Sequence, residues 1–236
     1  MTIGHPQLVA AIVSEIATHG PLPFVRFMEL ALYHPQFGYY TREPEEGTER
    51  IGWNGDYYTS SDVHPLLGRA LMRQARQIDR LCGEPDPFTV IEVGPGKGLL
   101  AQQFLSACLR EFPSMYERLR YILLDRSPAM RQSQRQNLSS LKDAPVSWID
   151  GLDELPPNSV TGLVFSNELL DAFPVHRLRV NNGHVQELYV DYRRGTLVES
   201  WGPLSTDALA AHLEQLHADW RISWPDGYET EINLQA

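Results

Sequence analysis

Three glycines spaced two residues apart form the part of this chain best suited to hold a ligand. They follow the apolar run 88–93 in the stretch VIEVGPGKGLL, where the acid Glu92 is followed by Gly94, Gly96 and Gly98. Glycine lets a chain turn tightly and lets other atoms approach the backbone. We therefore expect a strand, a tight turn at Gly94, a ligand against Gly96 and a helix held close at Gly98. A plain strand-to-helix turn without a ligand is the alternative interpretation.

The spacing of these glycines distinguishes two kinds of nucleotide ligand. A dinucleotide fingerprint reads G-x-G-x-x-G and has an acid about 20 residues further on. Here the third glycine comes one position early, and the next acid that ends an apolar run is Asp125. Glu92, just before the turn, favours a ligand with an ammonium or sulfonium centre. S-adenosylmethionine combines such a centre with a ribose, and the Asp125 carboxylate is placed to accept both ribose hydroxyls. A helix N-cap is the alternative role for Asp125.

Apolar runs in the middle of the chain predict the sheet that carries this turn. FTVIEV (88–93), YILLD (121–125), VSWID (146–150) and GLVFS (162–166) are β-prone and are separated by stretches of helical pattern. Runs buried on both faces that alternate with helices indicate a parallel sheet in an α/β domain. Asp150 ends the third run, where it either faces the adenine amino group or only begins the next turn.

The chain on either side of this sheet has a different pattern. Before it, apolar residues at helical spacing predict helices at 6–19, 23–33 and 64–81. After Pro174, polar and apolar residues alternate around an Asn-Gly and an Arg-Gly turn, which is typical of an antiparallel meander. We predict three segments: 1–84, helical and forming the lid of the cofactor cleft; 85–174, the cofactor-binding core; and 175–236, the meander and a helix.

Five longer stretches add a family resemblance. They are LALYHPQFGYYT (30–41), GDYYTSSDVHPLLG (55–68), IEVGPGKGLL (91–100), LLDRSPAMRQSQRQNL (123–138) and VFSNELLDAFPVHRL (164–178). In order and spacing they resemble the MidA-like family of class I S-adenosylmethionine-dependent methyltransferases. That family includes the mitochondrial complex I assembly factor proposed to methylate a protein arginine. The likeness extends from about residue 7 to 180, and the last stretch is the most specific.

The resemblance implies both a fold and a set of site residues. The fold is a Rossmann-like class I methyltransferase α/β sheet with an N-terminal helical segment and an antiparallel β insertion. By the same resemblance the cofactor cleft is walled by Gly55, Asp56, Thr59 and Ser60. S-adenosylmethionine is bound by Glu92, Gly94, Gly96, Gly98 and Asp125. The side on which substrate enters is lined by Asn167, which is also counted with the cofactor residues, and by Glu168 and Asp171.

This sequence departs from the family pattern in three places. Ser61 and Asp62 stand where the family has Pro-Glu, and Asp125 replaces the commoner Glu, which keeps the charge but shortens its reach by one methylene. The chain ends at Ala236, before the helix and apolar strand with which the family continues, so we expect a truncated sheet whose fourth strand is an open edge. A fragment, a second copy that covers the edge in a dimer, and a sheet that ends differently are the alternatives.

Methyl transfer to an arginine needs acidic groups beside the substrate. A guanidinium has a pKa above about 12, so carboxylates must hold and polarise it. Glu168 and Asp171, three residues apart after the fourth run, are the candidate catalytic pair on one side of a helical turn. Their alternative role is to stabilise a helix N-terminus.

Composition narrows the classes of partner. The net charge of −10 argues against nucleic acid, and no run reaches the ~18 apolar residues of a membrane span. Cys82 and Cys108 lie apart in helical segments and are interpreted as reduced packing residues. The histidines show no metal-ligand spacing, so we assign no metal. Because the first residues resemble neither a secretory signal nor a transit peptide, we expect a cytoplasmic protein.

We predict a methyltransferase that uses S-adenosylmethionine and acts on an arginine of a protein substrate, with a respiratory-complex subunit as the candidate substrate. The main alternative is a non-catalytic assembly factor or partner-binding module that keeps the fold. A nicotinamide-dependent oxidoreductase is disfavoured by the glycine spacing and by the stretch NELLDAFP at 167–174.

Overall fold

The chain folds into two compact units. The computed structural model describes residues 4–42, 60–141, 143–220 and 224–234, with the backbone alone for Ser60 and Trp220. One unit, here called the terminal unit, combines Met1–Glu43 with Leu170–Ala236, and the other, the central unit, is Pro44–Leu169. The terminal unit is therefore built from both ends of the chain. The three segments predicted at 1–84, 85–174 and 175–236 divide the chain differently and stay a prediction about separately folding domains.

Helices and strands alternate along most of the described chain. The helices are α1 (Pro6–His19), α2 (Phe24–Tyr33), α3 (Ser60–Val63), α4 (Leu66–Leu81), α5 (Leu99–Glu111), α6 (Pro113–Glu117), α7 (Pro128–Leu138) and α8 (Asp207–Trp220). The strands are β1 (Leu22–Pro23), β2 (Phe88–Val93), β3 (Leu119–Leu124), β4 (Val146–Ile149), β5 (Gly162–Ser166), β6 (His176–Asn181), β7 (His184–Arg193), β8 (Thr196–Gly202) and β9 (Glu229–Ile232). Short 3-10 turns span Leu152–Glu154 and Leu170–Ala172.

A parallel sheet forms the centre of the central unit. Its described strands lie in the order β4, β3, β2, β5, and each neighbouring pair is parallel. β2 and β3 are buried along most of their length, which explains why their sequences are apolar on both faces. The strand order reverses at β2, because β3 and β4 extend to one side of it and β5 lies on the other. In such sheets a ligand binds outside the carboxyl ends of the strands at the reversal.

Helices α4 and α5 complete the core beside this sheet. α4 buries Gly68, Met72, Ala75 and Asp79, which the helical period places on one face. A Cβ at Gly68 would stand 2.5 Å from the Cβ of Gln103 in α5, so the small residue permits the close approach of the two helices. α5 begins directly after the glycine loop, and its packing therefore fixes where that loop ends.

An antiparallel sheet forms the terminal unit. Its described strands lie in the order β1, β7, β6, β9, and β8 also pairs with β7. The two hairpin turns are Asn-Gly and Arg-Gly pairs with positive φ at both residues, as type I′ turns require. β6 buries every second residue, and Leu178 packs with Leu209 of α8 and Ile232 of β9. This is the meander expected after Pro174.

No helix in the described ranges has the length and apolar character needed to cross a bilayer. The long helices α1, α4, α5 and α8 instead bury one face against the sheets or against other helices.

Candidate functional site

The loop from Gly94 to Gly98 connects β2 to α5 at the carboxyl end of the parallel sheet. All three of its glycines have positive φ, which L side chains rarely adopt. A Cβ on Gly94 would stand 2.6 Å from Cδ1 of Leu169, and one on Gly98 would stand 3.0 Å from Cγ of Gln134. Apart from Gly96 itself and its two chain neighbours, no described residue has an atom within 4 Å of the place where a Cβ on Gly96 would stand. The backbone at Gly96 therefore faces open space, where a ligand can approach it.

The structure assigns Gly98 a different neighbour from the one expected. We predicted that Gly98 lets α5 approach its own strand closely. The atoms that a side chain at Gly98 would meet belong to Gln134 of α7, including its Cα at 3.3 Å. Gly98 thus makes room for α7.

Glu92 is the second-last residue of β2 and is buried inside the core. Its side chain is only 2% exposed, and the Tyr121 hydroxyl of β3 donates a hydrogen bond of 2.7 Å to its Oε2. Burial raises the pKa of Glu92 from 4.5 to about 7, although the hydrogen bond from Tyr121 acts in the opposite direction. The charge of Glu92 is therefore sensitive to any cation that binds at the loop. Its predicted role toward an ammonium or sulfonium centre stays a prediction.

Asp125 follows β3 and is half-buried, with both carboxylate oxygens oriented by hydrogen bonds. Oδ1 accepts from the backbone N–H of Ser127 at 2.9 Å, and Oδ2 accepts from Nε2 of Gln134 at 2.7 Å. A carboxylate oxygen has two lone pairs, so each oxygen keeps one for a ligand. Burial raises the pKa of Asp125. The N-cap of α7 is Ser127, whose hydroxyl accepts from the Met130 N–H, so the cap role considered for Asp125 is taken by another residue.

Gln134 connects these parts, and the sequence interpretation missed it. It is fully buried, and its Nε2 donates to the Gly96 carbonyl at 2.8 Å as well as to Asp125. Its Oε1 accepts from the indole N–H of Trp148 in β4 at 2.8 Å. The available signal was its position: Gln134 stands four residues before the buried Leu138 of α7, on a face that would otherwise be apolar.

A second unpredicted contact joins the loop to α3. Lys97 Nζ lies 2.8 Å from Oδ1 of Asp62, and the Asp62 side chain is only 5% exposed. Gln103 Nε2 also donates to the Ser61 carbonyl at 2.7 Å. The two residues that replace the family's Pro-Glu are therefore held against the glycine loop and α5. Of the predicted cleft wall, Gly55, Asp56, Thr59 and the side chain of Ser60 lie outside the described residues.

Asp150 follows β4 and points its carboxylate toward a cation of this chain. Its side chain is 70% exposed, and Oδ1 lies 2.7 Å from the guanidinium of Arg131. Arg131 also donates to the Asp125 carbonyl at 2.7 Å, so it links the ends of β3 and β4. The predicted contact of Asp150 with an adenine amino group stays a prediction.

Asn167 and Glu168 follow β5, at the other side of the strand reversal. Glu168 is exposed and has a φ of +51°, an uncommon value for a residue with a side chain. Asn167 Nδ2 donates a long hydrogen bond of 3.3 Å to Oε1 of Glu168. Asp171 is exposed in the 3-10 turn Leu170–Ala172, and Glu168 precedes that turn. The two acids are therefore not on one helical turn, and their catalytic role stays a prediction.

His176, from the last of the five family-like stretches, has its hydrogen-bond partner within the terminal unit. His176 is buried in β6, and its Nδ1 lies 2.7 Å from Oε1 of the fully buried Glu187 in β7. The backbone N–H of Ser205 donates to Oε2 of the same carboxylate at 2.6 Å. Across the described residues, no group of three His, Cys, Asp or Glu side chains is arranged to hold a metal ion.

Fold and site together define a class of protein. A parallel sheet whose strand order reverses beside a glycine loop, with a carboxylate at the end of the next strand, is the architecture of nucleotide-cofactor enzymes. A family model described as putative S-adenosyl-L-methionine-dependent methyltransferase matches residues 66–236. This chain belongs to that family, so the resemblance stated from the sequence motifs is confirmed.

Individual relatives agree with this family. The mitochondrial protein arginine methyltransferase NDUFAF7 homolog of Drosophila melanogaster is 28% identical over 80% of this chain and 45% of its own length. The mouse NDUFAF7 protein is 23% identical over 76% and 44%. A crystal structure of a Burkholderia thailandensis superfamily member bound to S-adenosyl-homocysteine has a TM-score of 0.75 and 30% identity, covering 96% of this chain and 56% of that one. The chain thus spans about half the length of the relatives it matches.

These comparisons decide two further expectations. The predicted α/β methyltransferase fold is confirmed by the likeness to the Burkholderia structure. The expected cytoplasmic location is wrong, because the characterised relatives are mitochondrial proteins. Net charge and the pattern of the first twenty residues do not determine the compartment in which the members of a family are found.

Proposed function

We propose that this chain binds S-adenosylmethionine at the carboxyl ends of β2 and β3 and takes part in methylating an arginine side chain of a protein. One observation carries the proposal: the open backbone at Gly96 and the Asp125 carboxylate accept hydrogen bonds from the same amide group, at the strand reversal. Two acceptor positions on Asp125 match the two hydroxyls of a ribose. The relative solved with S-adenosyl-homocysteine supports this choice of cofactor.

Residues around this corner have distinct proposed roles. When bound, S-adenosylmethionine supplies a methyl group activated by its sulfonium. Asp125 accepts the ribose hydroxyls, and the Gly96 backbone lies against the ligand. Glu92, with its pKa near neutrality, becomes ionised when a cationic ligand approaches and then attracts it. The assignments of Gly55, Asp56, Thr59 and Ser60 to the cofactor cleft rest on the family resemblance alone. The assignment of Asp150 to the adenine amino group rests on its position after β4.

The proposed acceptor is an arginine, because the relatives are named protein arginine methyltransferases. A guanidinium stays charged at neutral pH and needs a carboxylate partner. Glu168 is exposed at the end of β5, and its backbone is held in a left-handed conformation that tends to occur at functional sites. We assign Glu168 to substrate binding and polarisation, with Asp171 as the second acid. The proposal that the substrate is a respiratory-complex subunit rests on the family resemblance.

Isothermal titration of the purified chain with S-adenosylhomocysteine tests the cofactor site. We expect binding by the native protein and a loss of about tenfold or more in Asp125→Asn, because the ribose loses a charged acceptor. Asp219→Asn, an exposed residue of α8, is the matched control for the loss of one charge. A folded native sample with no measurable affinity would contradict the proposal.

Methyl transfer itself needs a separate assay. We expect incorporation of radiolabelled methyl groups into a mitochondrial protein extract, and loss of that incorporation in Glu168→Gln with unchanged S-adenosylhomocysteine affinity. Incorporation that persists in Glu168→Gln would remove Glu168 from the reaction.

The non-catalytic alternative is favoured by one observation at the sheet edge. Among the described residues β5 pairs with β2 alone, and Val164 in its middle is 53% exposed. An apolar edge strand can pair with another chain, as a docking module or the proposed dimer would. Light scattering of the native chain and of Val164→Lys distinguishes these states: a dimer that dissociates in the variant supports the edge as its interface.

A further inference from the structure

Gln134 is placed to control the orientation of the Asp125 carboxylate toward a ligand. We propose that Gln134 is a positioning residue of the cofactor site, which fixes the Asp125 carboxylate and the glycine loop in one geometry suited to a ribose diol. This inference rests on the proposed function, since it concerns the same site. It assigns a role to a residue that neither the glycine motif nor the strand-end acid indicates.

The orientation of the Gln134 amide follows from its partners. An indole N–H can only donate, so Trp148 selects the carbonyl oxygen Oε1 at 2.8 Å. The NH₂ group then faces the Gly96 carbonyl at 2.8 Å and Oδ2 of Asp125 at 2.7 Å. The carbonyl oxygen is an acceptor only, and so is the Asp125 carboxylate when it is ionised. Reversing the amide would replace three hydrogen bonds by three repulsive contacts. The indole N–H of Trp148 and the two acceptors together therefore set the direction of the two donors.

One planar NH₂ group thus joins two parts of the site. Its two hydrogens are both used, one on the loop and one on the carboxylate, and Gln134 is fully buried. The distance from Gly96 to Asp125 is therefore set by a rigid side-chain group. With Ser127 holding the other oxygen of Asp125, the carboxylate cannot rotate without breaking a hydrogen bond.

The third glycine of the loop belongs to the same arrangement. A side chain at Gly98 would meet Cγ, Cα and Cβ of Gln134 at 3.0 to 3.3 Å. Gly98 therefore allows α7 to bring Gln134 up to the loop. The side chain of Gln134 can reach the Gly96 carbonyl only because that space is free.

Two substitutions separate donation of hydrogen bonds from packing. Gln134→Glu keeps the shape and the acceptor for Trp148, but it removes the donors and places a carboxylate against Asp125. Gln134→Met keeps only the approximate volume. Gln132→Glu, on the exposed face of α7, is the matched control for the added charge. All are titrated with S-adenosylhomocysteine between pH 5.5 and 8.5, and folding is checked by circular dichroism.

The expected results differ between these variants. At pH 8 we expect Gln134→Glu to bind about tenfold or more weaker than the native chain. The deficit should shrink as the pH falls, because two adjacent carboxyl groups then share a proton and one can again donate to the other. Gln134→Met should lose affinity at every pH. Arg131 and Glu92 also carry charge near this corner, so each variant is compared with the native chain at the same pH.

Several outcomes would overturn the inference while leaving the cofactor site intact. Affinity of Gln134→Glu within twofold of native at pH 8 would do so, and so would equal, pH-independent losses in Gln134→Glu and Gln134→Met, which would indicate packing alone. If both fail to fold, Gln134→Asn replaces them: it keeps the amide but shortens its reach by one methylene, so the two donors no longer reach both the Gly96 carbonyl and Asp125. Binding should then weaken several-fold, and native affinity there would refute the inference. A native chain that binds no S-adenosylhomocysteine contradicts the proposed function instead.

Discussion

Burial of Glu92 should make the stability of this protein depend on pH in a direction opposite to that of most carboxylates. The group has a pKa of about 7 in the folded chain, against 4.5 for a free glutamate. The folded state therefore binds more protons than the unfolded state between these values, and the free energy of unfolding falls as the pH rises through this window. At about 1.4 kcal/mol for each pH unit, the full cost of ionising Glu92 is about 3 kcal/mol.

Glu92→Gln removes this cost, because a neutral amide does not ionise. The oxygen of the new amide can still accept a hydrogen bond from Tyr121. Its NH₂ group, however, is buried without an acceptor, which lowers the free energy of unfolding by about 1 to 2 kcal/mol at any pH. We expect the variant to be close to native or slightly less stable at pH 5, and about 1 to 2 kcal/mol more stable at pH 8. The difference between variant and native should therefore change by about 2 to 3 kcal/mol across this range.

Urea unfolding at a series of pH values measures this difference directly. Glu117→Gln, at an exposed site in α6, controls for the substitution itself. Tyr121→Phe provides a second check, because loss of the hydrogen bond should raise the pKa of Glu92 further and move the transition to higher pH. A constant difference between Glu92→Gln and native from pH 5 to 8 would refute the reasoning. We also expect Glu92→Gln to bind S-adenosylmethionine more weakly despite its stability, since the attraction to a cation is lost.

Other contacts lead to further predictions. Asp62→Asn removes the carboxylate that pairs with Lys97 and should lower the free energy of unfolding, measured in urea, by about 1 to 3 kcal/mol, because the mostly buried Lys97 ammonium loses its charged partner; native stability would show that the pair is not needed. Gly94→Ala should destabilise slightly more than Gly96→Ala, by about 0.5 to 1 kcal/mol, since only the first forces the end of the Leu169 side chain to move in addition to the cost of positive φ; equal thermal shifts would contradict this. His176→Ala should lower the free energy of unfolding by about 3 kcal/mol, because it leaves the buried Glu187 carboxylate with fewer partners. The affinity of the folded variant for S-adenosylhomocysteine should stay native, and a selective loss of that affinity would assign His176 to the cofactor site instead.

Local pattern was sufficient to locate the parallel strands. FTVIEV and GLVFS coincide with β2 and β5, and the other two runs match β3 and β4 within one or two residues. A continuous apolar run of this length leaves few alternatives, and β2 and β3 are indeed covered on both faces. The run of β5 predicted the same burial, but Val164 in its middle is exposed. The glycine loop and Asp125 also follow β2 and β3 directly, at the carboxyl ends of these strands, as their sequence positions predicted.

Contacts between distant segments could not be predicted in this way. Lys97 and Asp62 belong to different helices or loops, and neither has a periodic pattern that points to the other. Glu92 accepts a hydrogen bond from Tyr121 one strand away, and the alternation of residues within β2 does not show this contact. Gln134 looked like one of several polar residues of α7, and only the position of the neighbouring loop makes it different.

The terminal unit has a consequence for how the chain is made. Its first strand, β1, pairs Leu22 with Val190 of β7, and Leu197 of β8 packs among the buried side chains of α1 and α2. During translation these helices emerge before the central unit, and their partners follow only after it, on the order of ten seconds later at usual ribosome speeds. The apolar faces of α1 and α2 can therefore be fully buried only after the central unit has been synthesised.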